Sequence, residues 1–137
     1  MTAKPIPIPT GDTAQFWTAC DEERLLYQQC SACGTVQVYA RALCSACGAT
    51  ALTWKESAGI GTVLSVTEVH RGPSVAFKPD QPYALAIIEL DEGFRLMTNM
   101  RNCAAADVRI DMRVRIGFDP RGDEGRRVPI AEPLTHD

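Results

Sequence analysis

The chain has 137 residues, 45% of them apolar, and a formal charge of −3. That is enough for one ordinary domain or two small ones. An acidic chain without a Lys/Arg run is a poor match to nucleic acid, whose binding draws on cations that neutralise phosphates. Its longest apolar segments, such as 83–90, fall far short of a bilayer span. The opening MTAKPIPIPT has no long apolar stretch and no cleavage site, so the expected location is the cytoplasm.

Prolines at 5, 7 and 9 exclude a helix over residues 1–10 and favour an extended arm. The arm is either a free terminus or a strip whose isoleucines lie in a partner's groove. Residues 12–28, DTAQFWTACDEERLLYQ, read as a helix that Asp12 or Thr13 caps. Phe16, Ala19, Cys20, Glu23 and Tyr27 fall on one side, Trp17, Arg24 and Gln28 on another. Such a helix packs on its own core, docks on a partner or covers a ligand. Removal of residues 1–28 is expected to cost partner docking more than barrel folding.

The string CSACG then occurs twice, at 30–34 and 44–48. It sets Cys30, Cys33, Cys44 and Cys47 as two Cys-x-x-Cys turns. Each turn aims two sulfurs at one point, and two turns face to face make the tetrahedral cage that structural Zn²⁺ prefers. Gly34 and Gly48 supply the positive φ such a turn needs after its second cysteine. A cage of four thiolates has no vacant position, so one Zn²⁺ per chain folds the protein and performs no chemistry. Paired turns of this kind also favour a reducing compartment over disulfides. TVQVYARAL and TALTW are β-rich, and a ribbon of this size, residues 29–54, cannot bury much core without the ion. Arg41, just before the second turn, is a solvated arginine or an anion contact. Cys20 and Cys103 read as small apolar fillers. As a nucleophile Cys103 lacks an obvious partner, since the histidines are His70 and His136.

After Trp54 the texture changes to β-branched, alternating segments at 61–70, 83–90, 94–100, 113–119 and 126–132, with turns at GPS, KPDQP, DEG and PRGDEG. DEG between two strands signals a hairpin. No long helix is forced between 59 and 132, though NCAAADVR can make one turn. Five strands in this length suit a small closed barrel. A Greek-key OB-fold is the natural candidate, and an SH3-like barrel stays open on local pattern. The predicted protein is mainly β, with an extended arm and helix over 1–28, a rubredoxin-like four-cysteine zinc ribbon over 29–54 and a five-stranded OB-fold barrel with a short C-terminal tail over 55–137.

The order of helix, ribbon and barrel resembles the family of zinc-ribbon OB-fold proteins associated with acyl-CoA metabolism. The strings that carry the resemblance are FW at 16–17, CSACG through YARALCSACG, GTVLSVTEVHRGP, PYALAIIELDEGFRLMTN and DVRIDMRVRIGF. It runs from about residue 12 to residue 132. It implies an accessory subunit that binds or channels an acyl-CoA thioester for a thiolase-like or acyl-CoA retro-aldolase or condensing partner, in a hetero-oligomer such as a heterotetramer. Arg41 matches the family's arginine before the second turn, where the family often has preceding prolines and this chain has Tyr39 and Ala40.

CoA carries phosphates, an adenine ring and a flexible arm, so a binder needs cations, flat aromatics and a channel. Arg41, Arg71 and Lys78 are candidates for phosphates, and Phe16, Trp17 and Phe77 for the adenine or the acyl arm. For Arg71 and Lys78 the alternative is a solvated loop charge. His70 reads as a strand-end histidine with a satisfied hydrogen bond, with a proton-transfer role as the other reading. Glu89, Asp91 and Glu92 sit at a hairpin turn, where solvated charge is the default. No nucleophile–base pair or phosphate-cradling glycine loop is legible, which weighs against an independent enzyme. A single-stranded nucleic-acid binding module is the alternative function, because ribbons and OB-folds serve that use too.

Overall fold

The computed structural model describes residues 4–134. The chain leads from an extended arm into helix α1 (Ala14–Asp21), then through strands β1 (Leu26–Cys30), β2 (Val36–Gln37) and β3 (Leu52–Glu56). Strands β4 (Ile60–Val69), β5 (Tyr83–Leu90), β6 (Arg95–Asn99), β7 (Arg113–Arg121) and β8 (Arg126–Pro133) complete it. Among the described residues no helix is long and apolar enough to cross a membrane.

The helix is shorter than the expected span of 12–28. It stops where Glu23 turns left-handed, at φ 61°. The N–H groups of Glu22 and Arg24 both close on the Ala19 carbonyl, at 3.0 and 2.8 Å. Leu26–Cys30 then extends and pairs antiparallel with β2 on one side and β3 on the other. A short apolar run fits helix and buried strand alike, and here the two flanking strands decide the matter.

The barrel strands lie in the order β6-β5-β4-β7-β8. The ring closes between β6 and β8, where Met100 bridges Ala131 and the Arg101 N–H donates to the Ala131 carbonyl at 2.8 Å. With the first barrel strand beside the second and fourth, and the fifth beside the third, this is the Greek-key OB arrangement, which settles the choice against an SH3-like barrel. A bulge between Val63 and Ser65 bends β4 so that it pairs with both β5 and β7. The DEG turn closes the β5–β6 hairpin as expected, with Gly93 at φ 104°. NCAAADVR contributes one 3₁₀ turn, Ala105–Asp107.

Helix, ribbon and barrel share one core. Phe16 and Cys20 from α1, Tyr27 from β1 and Val38 from the ribbon loop pack in the same buried cluster as Val63, Ile88, Leu90 and Val114. Tyr27 stacks on Phe94, with ring centroids 4.8 Å apart. Burying a large side chain of this kind contributes roughly 1.5–3 kcal/mol. Removal of residues 1–28 therefore takes Phe16, Cys20 and Tyr27 out of the shared core and is expected to cost barrel folding as well as any docking. The helix is a packing element first.

A carboxylate ties ribbon to barrel. Glu92, in the DEG turn, accepts the Ser57 hydroxyl at 2.7 Å and the Ala58 N–H at 2.8 Å. Ser57 is buried, and its own hydroxyl oxygen accepts the Gly59 N–H at 2.9 Å. Glu92→Ala leaves that buried hydroxyl short of an acceptor and is expected to lower stability by about 1–3 kcal/mol. Urea unfolding of the two proteins checks it; equal midpoints and slopes would show that the tie contributes nothing.

Candidate functional site

The two CSACG copies fold into the same turn. In the first, the Gly34 N–H donates to the Cys30 carbonyl at 2.8 Å and the Cys30 N–H to the Thr35 carbonyl at 2.9 Å. In the second, Gly48 donates to Cys44 at 3.0 Å and Cys44 to Ala49 at 2.9 Å. Gly34 and Gly48 sit at φ 81° and 77°, where a side chain would be strained. The turns face each other, and the four Sγ atoms of Cys30, Cys33, Cys44 and Cys47 lie within 4.8 Å of one another. The Cys30–Cys47 and Cys33–Cys44 sulfurs are each 3.6 Å apart. A tetrahedron with Zn–S bonds of about 2.3 Å has sulfurs about 3.8 Å apart. The donor set fits that ion.

Local hydrogen bonds prepare the sulfurs for a cation. The Thr35 hydroxyl, 3.2 Å from Cys33 Sγ, acts with the Thr35 N–H to pull that thiol down to about 6. The N–H groups of Cys47 and Ala46 lower Cys44. Cys47 moves the other way, up to about 12: the Ala49 N–H favours its thiolate, but the neighbouring Cys30 and Cys33 sulfurs outweigh it. Full deprotonation of the set thus needs a cation at its centre.

The ribbon also builds a groove. Two buried amides hold its loop. Gln28 Nε2 donates to the Arg41 carbonyl and Gln28 Oε1 accepts the Arg41 N–H, both at 3.0 Å. Gln37 Nε2 donates to Gln28 Oε1 at 2.8 Å, and Gln37 Oε1 accepts the Ser45 N–H at 3.0 Å. Val38 is thereby sunk in the core, and Tyr39 reaches the edge of the barrel, where its hydroxyl accepts the Met97 N–H at 3.1 Å. Between this loop, α1 and β6 lies a groove of about 370 Å³ lined by Phe16, Trp17, Val38, Tyr39, Met97 and Ile130, among others. Phe16 and Trp17 meet edge to face at 5.0 Å. Tyr39 and Met97 are each 57% exposed at its rim.

The candidate ligand residues divide. Phe16 and Trp17 come together in this groove. Phe77 is half-buried in an adjoining groove of about 340 Å³, 6.0 Å from the Tyr83 ring and beneath the Lys4 ammonium at 5.7 Å. Arg41 is exposed on the ribbon loop, with its backbone rather than its guanidinium held. Arg71, Lys78 and His70 lie on the β4–β5 connection and line neither groove. His136 lies outside the described residues. The arm runs over the barrel with Ile8 87% exposed. Of the turn acids, Asp91 makes a two-pronged pair with Arg113 at 2.8 and 2.9 Å, which holds its carboxyl below the usual range. Gln28, Gln37 and Glu92 carry no signal in the sequence. Each is a polar residue that looks solvated until its partner, distant in the chain, is known.

Fold and cluster define a zinc-ribbon OB-fold protein. Residues 17–53 match the family described as "ChsH2, rubredoxin-like zinc ribbon domain", and residues 54–119 match "ChsH2, C-terminal OB-fold domain". A DUF35 domain-containing scaffold protein of Methanocaldococcus jannaschii is 35% identical over 105 residues, covering 74% of each chain. A probable enoyl-CoA hydratase alpha subunit of Thermomonospora curvata is 36% identical over 132 residues; these are 96% of this chain but 40% of that relative, so the chain spans less than half its length. Among solved structures, a chain of the Ltp2-ChsH2(DUF35) aldolase superimposes with a TM-score of 0.80 at 33% identity, covering 93% of this chain and 98% of that one. The chain belongs to the ChsH2, or DUF35, family.

The cluster yields a prediction with a pH sign. Without metal the folded Cys33 value lies below the ordinary thiol value of about 8.5, so its thiolate contributes stability above that value and loses it as pH falls through about 6. Because protons compete with the metal for the four thiolates, metal content followed by elemental analysis is expected to hold at neutral pH and to fall in acid. Cys33→Ser is expected to lose metal at every pH, together with the amide protection of the ribbon; a Cys33→Ser protein that keeps a full complement of metal would contradict the fit.

Proposed function

We propose that the chain holds one zinc ion on Cys30, Cys33, Cys44 and Cys47 and acts as a non-catalytic scaffold subunit for an enzyme of acyl-CoA metabolism. It binds or channels the thioester for an aldolase- or thiolase-type partner, in a hetero-oligomer such as a heterotetramer. The observation that carries this reading is the superposition, at TM-score 0.80, on nearly the whole DUF35 chain of an aldolase. The relative named as a probable enoyl-CoA hydratase alpha subunit supports the same class of thioester.

Side-chain chemistry supports placing catalysis in the partner. Burial and the neighbouring Asp21 push the Cys20 thiol up to about 12, and burial and Asp107 raise Cys103. Neither is a ready nucleophile. The acyl arm would lie against Phe16 and Trp17, with Phe77 beside the adjoining groove. Arg41 and Arg71 lie outside both, so any role for them is with phosphates that cross the surface.

The nucleic-acid alternative draws no support from this surface. Of 14 basic residues, nine lie within 4.0 Å of a carboxylate: Lys4 and Arg24, Arg95, Arg101, Arg113, Arg115, Arg121, Arg126 and Arg127. Cations already engaged with carboxylates are poorly placed to take up phosphates.

Co-expression with the aldolase- and thiolase-type enzymes of the source organism tests the proposal. One of them is expected to form a stoichiometric complex by light scattering and to lose thioester turnover when this chain is omitted, while the chain alone turns nothing over. Robust turnover by the isolated chain, or no complex with any such enzyme, would refute it.

A further inference from the structure

The two grooves meet at the end of β7. Asn99, Ile130 and Arg121 line both. On one side the walls are apolar, with Phe16, Trp17 and Met97. On the other are Lys4 and Asp80 beside Phe77. Arg121 ends β7, and Gly122 follows at φ 69°. A side chain at Gly122 would collide with Ile6, whose Cδ1 lies 2.7 Å from where a Cβ would stand. The glycine lets the arm pass over, and this brings the Pro5 carbonyl to Arg121.

The Arg121 side chain is only 13% exposed, yet its ties are long. Nε reaches Asp119 Oδ2 at 3.5 Å, and Nη1 reaches the Pro5 carbonyl at 3.5 Å. Both distances exceed the usual N–H···O range of roughly 2.7–3.2 Å. Arginine carries five N–H donors and keeps its charge. With only two long bonds for its five N–H groups, this guanidinium has donors to spare for a further acceptor. Asp119 already offsets the charge, so the acceptor that fits best is neutral. A carbonyl oxygen with an apolar chain leading one way and a polar arm the other answers that description, and an acyl thioester has that shape. A volume of about 370 Å³ on the apolar side is at the small end of ligand pockets, roughly 300–1,000 Å³, and suits a medium-length chain.

We infer that Arg121 binds the thioester carbonyl of an acyl group whose chain lies along Phe16 and Trp17, and so selects a thioester over an equally apolar ligand without that oxygen. The inference rests on the acyl-CoA reading above and adds the residue and the direction of the ligand.

Three probes test it on the full chain loaded with zinc: S-octanoyl-N-acetylcysteamine, its thioether counterpart without the carbonyl oxygen, and octanoyl-CoA. Binding is read by calorimetry and by Trp17 emission in a Trp54→Phe background. The wild type is expected to prefer the thioester over the thioether by roughly tenfold or more, the scale of a hydrogen bond to a charged group. Arg121→Met, which keeps an apolar stem, is expected to erase that preference, and Arg121→Lys to keep part of it. Absence of the preference in the wild type overturns the inference whether or not the variants fold. So does an Arg121→Met protein that melts like the wild type and keeps the preference. If octanoyl-CoA binds the wild type and Arg121→Met alike, the acyl-CoA reading stands and the role of Arg121 falls. If neither thioester binds, both fall.

Discussion

The structure depends on four sulfurs held within 4.8 Å of one another. They join the two cysteine turns that the short strands and the Gln28 and Gln37 amides hold only in part. Strand β2 has two residues and β1 and β3 have five each, too little to be stable as an isolated sheet in water. The cysteine turns fix both ends of the loop between them, and the loop then has one way to lie. Val38 points into the core, Gln28 and Gln37 take up the backbone, and Tyr39 meets β6. A proposed structural zinc thus acts at a distance. It sets a wall of the groove without touching whatever the groove holds.

The shared core works in the same direction. A separate ribbon, helix and barrel would each be marginal at these sizes. Packed as one cluster they stabilise each other, and the Glu92 tie fixes the angle at which the ribbon leaves the barrel. The apolar groove falls where these parts meet, between α1, the ribbon loop, β6 and β8. Ligand sites often lie at such junctions, because each part brings a different side chain to the same place. The scaffold role proposed here needs no catalytic group, only a surface held still by that packing.

Much of this was legible in the chain. Cysteine spacing is a local signal, and a two-residue gap followed by Gly34 or Gly48 has few other uses. β-branched and alternating residues from Ile60 to Pro133 marked the five barrel strands to within about two residues, most clearly in β5, β6 and β7, where buried positions alternate with more exposed ones. The end of α1 was not legible: LLYQQC becomes a strand because β2 and β3 flank it, and those partners are remote in sequence. Arg121 was hidden for a related reason. In PRGDEG it looks like a solvated turn residue, and only the passage of Pro5 and the meeting of two grooves make it a nearly buried cation. Phe16 and Trp17 were found through resemblance and a helical reading, whereas Arg41 and Arg71 were grouped with them by chemistry alone and lie apart.

The most direct test of the link from sulfur cluster to groove is the exchange rate of one amide proton. Met97 is on β6, fifty residues beyond the last cysteine of the cluster, and its N–H is held by the Tyr39 hydroxyl. Hydrogen exchange at Met97, followed with zinc bound and after its removal, reports whether the cluster positions the loop. Removing the metal is expected to expose Met97 together with the ribbon loop while Ile88 and Val114 in the barrel stay protected. Loss of protection in the ribbon with Met97 unchanged would contradict it.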